Sequence, residues 1–292
     1  MKKYKKIIII SVTTVFLFLF AAGCSQMTEK EKIIKAVENQ LKLNSYTMTG
    51  SMSFEQSSQR PVSELDIEVS FEGKYQKEPF YQTVDMNYDI MGLSMQVNLY
   101  TKDHEVWIKM PMFSYYFYLD TYEYAKEQGI EDIQKQRELD ENKRKELQLE
   151  FFKSLDGRNF SLVEDNKGEK VSEVIMVNIT DEDIDHIMDI FSGILMTNLI
   201  IDTEENFEEL KNLMEVTELS IKIGIDKKLI KYEELRGILN LKRNGTSDEY
   251  QNIGFNILLN YDNFNKKLNF DFPDFEEEGV IRYEELFDYP LE

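Results

Sequence analysis

Between Ser45 and Met110 the sequence keeps a two-residue rhythm through five successive runs. In Glu64 to Tyr75, the residues Leu65, Ile67, Val69, Phe71 and Tyr75 share one parity, with Gly73 among them. Glu64, Asp66, Glu68, Ser70, Glu72 and Lys74 hold the other. A strand sends alternate side chains to opposite faces, so this run predicts one long strand with an apolar face and a wet one. Ser45 to Phe54 sets Tyr46, Met48, Met52 and Phe54 against Thr47, Thr49, Ser51 and Ser53. Phe80 to Ile90, Leu93 to Tyr100 and Glu105 to Met110 continue the pattern, with short breaks at Lys77-Glu78-Pro79, Met91-Gly92 and Lys102-Asp103-His104. Five such strands with short links predict an antiparallel meander.

The second half repeats this layout. Glu131 to Phe152 is charged with sparse apolar residues and reads as one or two solvated helices. Phe160–Val163 and Val171–Ile179 read as strands. Thr180 and the acids after it start a helix through Leu199, and Glu204 to Glu215 reads as another. Four closing strands are predicted at Leu219–Ile225, Leu229–Leu241, Ile253–Tyr261 and Lys267–Phe272. No Pro, Gly or Ser-rich linker divides the halves, which favours a single domain with one continuous sheet.

The N-terminus carries a processing signal. Lys2, Lys3, Lys5 and Lys6 precede the apolar run Ile7 to Phe20, and Ala21-Ala22-Gly23 leads into Cys24. This order matches a secretory signal, and the core is shorter than the ~20 residues a bilayer span needs. The Ala-Ala-Gly-Cys stretch resembles the lipobox of bacterial lipoproteins, with Ala21 where Leu is commonest. That resemblance implies cleavage after residue 23, a domain over 24–292, and a diacylglycerol on the Cys24 thiol. Two acyl chains suffice for stable anchoring. Cys24 is the sole cysteine, so no intramolecular disulfide forms. Thr28-Glu29-Lys30-Glu31 reads as a capping box opening a helix to Leu43, with Ile33, Ile34, Val37 and Leu41 on one side. Only Ser25 to Met27 separate that helix from the anchor, a reach of roughly 10–15 Å.

The formal charge of −21 argues against a basic patch for nucleic acid. Catalytic patterns fail. Ile108 stands where a zinc-protease motif after His104-Glu105 needs its second His. His186 reads as a solvated helix residue. Asp181, Asp183 and Asp185 mimic a calcium loop, but His186 and Ser192 stand where that loop needs Gly and Glu. The acidic run Asp274 to Glu278 reads as a solvated tail. The expectation is a protein without enzymatic activity, metal or cofactor.

The lipobox, the N-terminal amphipathic helix and the interrupted strands together resemble the LolA/LppX superfamily of lipoprotein and lipid carriers. Gly73 to Pro79 (GKYQKEP), Glu105 to Pro111 (EVWIKMP) and the Ile225-Asp226-Lys227-Lys228 turn resemble, more narrowly, a group of lipoproteins of low-GC Gram-positive bacteria. The resemblance implies an α+β fold: a curved antiparallel half-barrel of about ten or eleven strands, with helices packed in its mouth. It also implies a lipid-anchored location on the outer face of the cytoplasmic membrane.

Something must cover an apolar face this wide. The chain's own helices are one occupant, giving a filled core and an envelope-protein interaction module working through the acidic outer face. A lipid or other apolar ligand is the other. Tyr46, Met48, Met52, Ile67, Val69, Phe71, Met86, Tyr88 and Met95 are the expected ligand-lining residues, because Met adapts to varied apolar shapes and Tyr supplies sparse polar contacts.

Overall fold

The computed structural model describes residues 27–57, 66–127, 133–164, 171–180, 183, 214–242 and 250–282. The signal segment, Cys24, Glu64, Leu65, the Asn166-Lys167-Gly168 turn, His186, most of the Thr180 helix and residues 204–213 lie outside them.

Two meanders form one sheet. The first runs β1 (Ser45–Ser57), β2 (Asp66–Gln76), β3 (Tyr81–Ile90), β4 (Leu93–Lys102), β5 (Glu105–Lys109) and β6 (Tyr116–Asp120). The second runs β7 (Phe160–Val163), β8 (Glu173–Ile179), β9 (Met214–Asp226), β10 (Leu229–Lys242) and β11 (Tyr250–Asp262). Antiparallel pairing of β1 with β11 joins them, and β12 (Val280–Arg282) pairs parallel to β6. The order is β12-β6-β5-β4-β3-β2-β1-β11-β10-β9-β8-β7, an open half-barrel of the α+β class. The Met91-Gly92 and Lys227-Lys228 links have positive φ at both central residues, the backbone that tight hairpins of this twist require.

Helix α1 (Glu29–Gln40) opens as expected: the Thr28 N–H donates to Glu31 Oε2 at 2.8 Å, and the Glu31 N–H donates to Thr28 Oγ1 at 3.3 Å. It ends three residues early, at Gln40 with Leu41 as cap. Its buried side, Ile33, Ala36 and Val37, packs on β7, β9 and β10. With Phe151, Phe152 and Leu155 from the end of α3 (Ile133–Ser154), and Phe160, Ile175, Val177, Ile223, Ile225 and Ile230, it forms the main core. The short α2 (Thr121–Glu127) sits beside β6. Among the described residues no helix is long and apolar enough to cross a membrane.

A second, aromatic core lies on the other face of the sheet. Trp107, at the opposite parity to Val106 and Ile108, is 7% exposed. Phe275 stacks flat on it at 4.2 Å, with Tyr118 alongside at 5.5 Å. The chain leaving β11 crosses this face. Phe270 and Phe272 pack edge-on against Tyr81, and Lys74 Nζ donates to Asn269 O at 2.9 Å.

Several expectations are corrected. Lys267–Phe272 is not a strand, because β11 already has β1 and β10 on its two sides and offers no free edge. The acidic run is no solvated tail: α4 (Phe275–Glu278) carries the ring that seals Trp107. Met214 and Glu215 begin β9 rather than end a helix. β6 and β12 are additional strands. Tyr116, Phe117 and Tyr118 give β6 aromatic residues on both faces, so it shows no alternation.

Because Trp107 is the only tryptophan, the aromatic core reports on itself. Phe275→Ala is expected to cost about 2 kcal/mol and to shift tryptophan emission to the red. Unchanged emission would mean that Phe275 does not cover the indole.

Candidate functional site

Residues directly opposite in an antiparallel pair share a face. Register therefore decides which of the nine expected lining residues meet. Tyr46 faces Tyr75, Met52 faces Val69 and Phe54 faces Ile67 across β1–β2. Val69 faces Tyr88, and Phe71 faces Met86, across β2–β3. Tyr88 faces Met95, and Met86 faces Val97, across β3–β4. All nine lie on one face, which is also the face α1 packs against farther along the sheet. β11 extends it: Met48 faces Tyr261, Gly50 faces Leu259 and Met52 faces Ile257.

The floor of this face is shaped by glycine. A Cβ on Gly50 would stand 2.4 Å from the Phe71 ring, and one on Gly237 would stand 2.4 Å from the Phe255 ring. Each ring lies down across a neighbour with no side chain, which keeps the floor low. Along it, Tyr46, Met48, Met52, Ile67, Val69, Phe71, Met86, Tyr88 and Met95 are all half-buried. The buried core under α1 contains none of them. At the far rim the face runs out to the β3–β4 hairpin, where Ile90, Met91 and Leu93 are 38%, 61% and 78% exposed.

Polar groups on this face are few. Tyr88 Oη donates to Met86 Sδ at 3.3 Å. Tyr46 stacks on Tyr75 at 4.9 Å and meets Tyr261 edge-on at 5.8 Å. Tyr261 Oη donates to Glu233 Oε2 at 3.0 Å. Glu233 was not expected here. A β-bulge between Ile230 and Tyr232 inserts Lys231 and reverses the parity of β10. Ile230 and Glu233 therefore share the apolar face, and Tyr232 turns to the other.

Burial pushes the Glu233 carboxyl above the ordinary carboxylate range, and the Tyr261 hydroxyl only partly offsets this. Burial and the nearby Glu233 carboxyl push the Tyr261 phenol upward in turn. The folded state thus holds the Glu233 proton more tightly than the unfolded chain does. The stability linked to this proton is present in acid and is lost as pH rises from the ordinary glutamate range through the raised value. Glu233→Gln keeps an acceptor for Tyr261 and removes that loss. The Tm of the variant relative to wild type is expected to rise between pH 4.5 and pH 8; a constant difference would mean that Glu233 titrates normally.

The other face is polar. Glu68 faces Asp89 and Glu72 faces Asp85 across β2–β3, like charges set opposite one another. A cleft of about 770 Å³ opens on this side beside Trp107, Tyr118, Phe272 and Phe275, away from the nine residues. His104 occupies the β4–β5 turn and stacks on Tyr122 at 4.4 Å. Asp183 Oδ2 accepts from Thr180 Oγ1 at 2.6 Å and from Asn159 Nδ2 at 2.8 Å. Among the described residues, no three acidic, His or Cys side chains converge as metal ligands.

No family model matches the chain. No curated protein matches it either. Among solved structures, it is similar to the LolA superfamily protein NE2245 from Nitrosomonas europaea, at 10% identity and a TM-score of 0.24, covering 85% of this chain and 96% of that one. It is also similar to the structure titled "Lipid-protein interactions in lipovitellin", at 9% identity and a TM-score of 0.26, over 80% of this chain. The chain spans about a quarter of that protein's length, 26%. The half-barrel architecture is established by this chain's own strand order and register.

Proposed function

We propose that this protein is a membrane-anchored extracytoplasmic lipoprotein that holds an apolar ligand such as a lipid on the apolar face of its half-barrel. One observation carries the reading. Register gathers nine adaptable apolar and tyrosine side chains into one half-buried trough, and the described helices pack mainly on the β7–β10 end of the same face. The trough runs roughly 26 Å from Tyr46 to Phe54 at the rise of a strand, enough to lay down a long acyl chain. Its role is to shield that chain from water, and no bond of the ligand is broken.

The anchor is the Cys24 diacylglycerol, and the location is the outer face of the bacterial cytoplasmic membrane. The capping box that starts α1 at Glu29 supports a short tether, which keeps the trough near a source of lipid. Within this reading the chain is one of the lipoproteins of low-GC Gram-positive bacteria that its motifs resemble.

A second reading is an interaction module that works through the polar face. The opposed pairs Glu68–Asp89 and Glu72–Asp85 favour it, since like charges opposite one another cost stability that a basic partner would restore. Native mass spectrometry with lipid extraction, on the chain from Ser25 purified without detergent, separates the two. A stoichiometric co-purifying lipid is expected. A clean ligand-free mass with an empty extract would transfer the case to the polar face.

A further inference from the structure

We propose that Glu233, with Tyr261 and Tyr46, forms the head-group site of the trough, and that it selects an amphiphile with a primary amine at its polar end. This rests on the ligand-binding reading above and gives its ligand a chemistry.

The carboxyl is out of place on its face. Its cross-strand neighbours are Leu259 on β11 and Ile223 on β9. Ile221, Leu41 and Tyr261 pack at the adjoining edge of the α1 core. A carboxylate in such surroundings is costly unless a cation or several donors serve it. Here one donor does, the Tyr261 hydroxyl on Oε2, and among the described residues nothing donates to Oε1.

The lysines of α1 are committed elsewhere, as are Lys231 and Arg236 of β10. On α1, Lys30 donates to the carbonyls of Lys153 and Leu155. Lys32 pairs with Glu173 at 2.6 Å, and Lys35 with Glu38 at 3.0 Å. On β10, Lys231 pairs with Asp262 at 3.1 Å, and Arg236 pairs with Glu234 on the polar face. The site therefore offers one carboxylate oxygen without a donor, beside Tyr261, whose ring Tyr46 meets edge-on, on the β10 side of the apolar trough and level with Gly50.

Charge complementarity fixes the occupant. An ammonium head would donate to Glu233 Oε1 and gain where it meets the face of a neighbouring tyrosine ring. Its tail would follow Met48, Met52 and Val69 toward the β3–β4 rim. A hydroxyl head would make the hydrogen bond without the charge. A carboxylate or phosphate head would meet like charge. Glu233 as a residue is half-buried on this face.

The test uses three probes of equal chain length: an alkyl amine, the alkyl alcohol and the fatty acid. Each is titrated below its micelle concentration at pH 7.5 into wild type and Glu233→Gln, and followed by calorimetry. Wild type is expected to bind the amine at least tenfold more tightly than the alcohol, and the acid most weakly. Glu233→Gln should bring amine and alcohol to within threefold of each other. The wild-type comparison needs no variant, so a misfolded Glu233→Gln does not remove the test. Equal binding of amine and alcohol by wild type would overturn the head-group assignment while leaving the trough standing. Binding of none of the three would overturn the ligand reading itself.

Discussion

Met52→Arg is expected to give a folded protein that retains no lipid. Met52 stands in mid-trough, opposite Val69 on one side and Ile257 on the other. It is half-buried and lies outside the core under α1, so the fold does not depend on its thioether. An arginine there lays its stem along the apolar floor and carries its guanidinium toward water. An acyl chain seated over it would have to bury that charge, which costs several kcal/mol. Co-purifying lipid should fall from stoichiometric to undetectable by native mass spectrometry, with far-ultraviolet circular dichroism unchanged. Glu68→Lys, on the polar face of the neighbouring strand, should leave lipid retention intact. A folded Met52→Arg that carries lipid like wild type would remove the trough from consideration as the binding site.

Gly224→Ala has the largest expected effect on stability. Tyr232 is fully buried, and a Cβ on Gly224 would stand 2.2–2.8 Å from three of its ring atoms. A ring enclosed on all sides cannot retreat as the tip of a flexible chain would. The substitution should cost about 3 kcal/mol and lower Tm by roughly 10 °C. The decisive measurement is a double-mutant cycle in urea. In a Tyr232→Ala background the alanine at 224 should cost almost nothing. Equal costs in both backgrounds would show that the Tyr232 ring is not what forbids a side chain.

These two residues show where sequence reasoning reaches and where it stops. Met52 is legible, because strict alternation in β1 to β4 assigns faces without knowledge of neighbours. All nine lining residues came from that alternation, and the register places them together. Tyr232 and Glu233 are illegible for the same reason. Ile230, Tyr232 and Glu234 keep one parity in the sequence, and nothing local announces the bulge at Lys231 that reverses it. Tyr261 was visible as a strand residue, but its place beside Met48 depends on β1 meeting β11, a pairing between distant segments that alternation does not encode. Lys267 to Phe272 failed the opposite way. Leu268, Phe270 and Phe272 alternate as a strand would, yet only the completed sheet shows that both sides of β11, the strand they follow, are taken.

The β1–β11 pairing also sets the timetable of the molecule. Thr47 meets Asp262 across most of the chain's length, so the two meanders can each form early but cannot unite until the last long strand has been made. Pairing of such remote segments is intrinsically slow. During that wait β1 presents a row of unsatisfied donors and acceptors in the middle of the future sheet, a template for any other extended chain. Net charge far from zero, −21 over the whole chain, is one protection available in that interval, because it keeps like copies apart. A chain that stops short of Tyr250 would keep this adhesive seam permanently, and its fate would be self-association rather than a smaller working half.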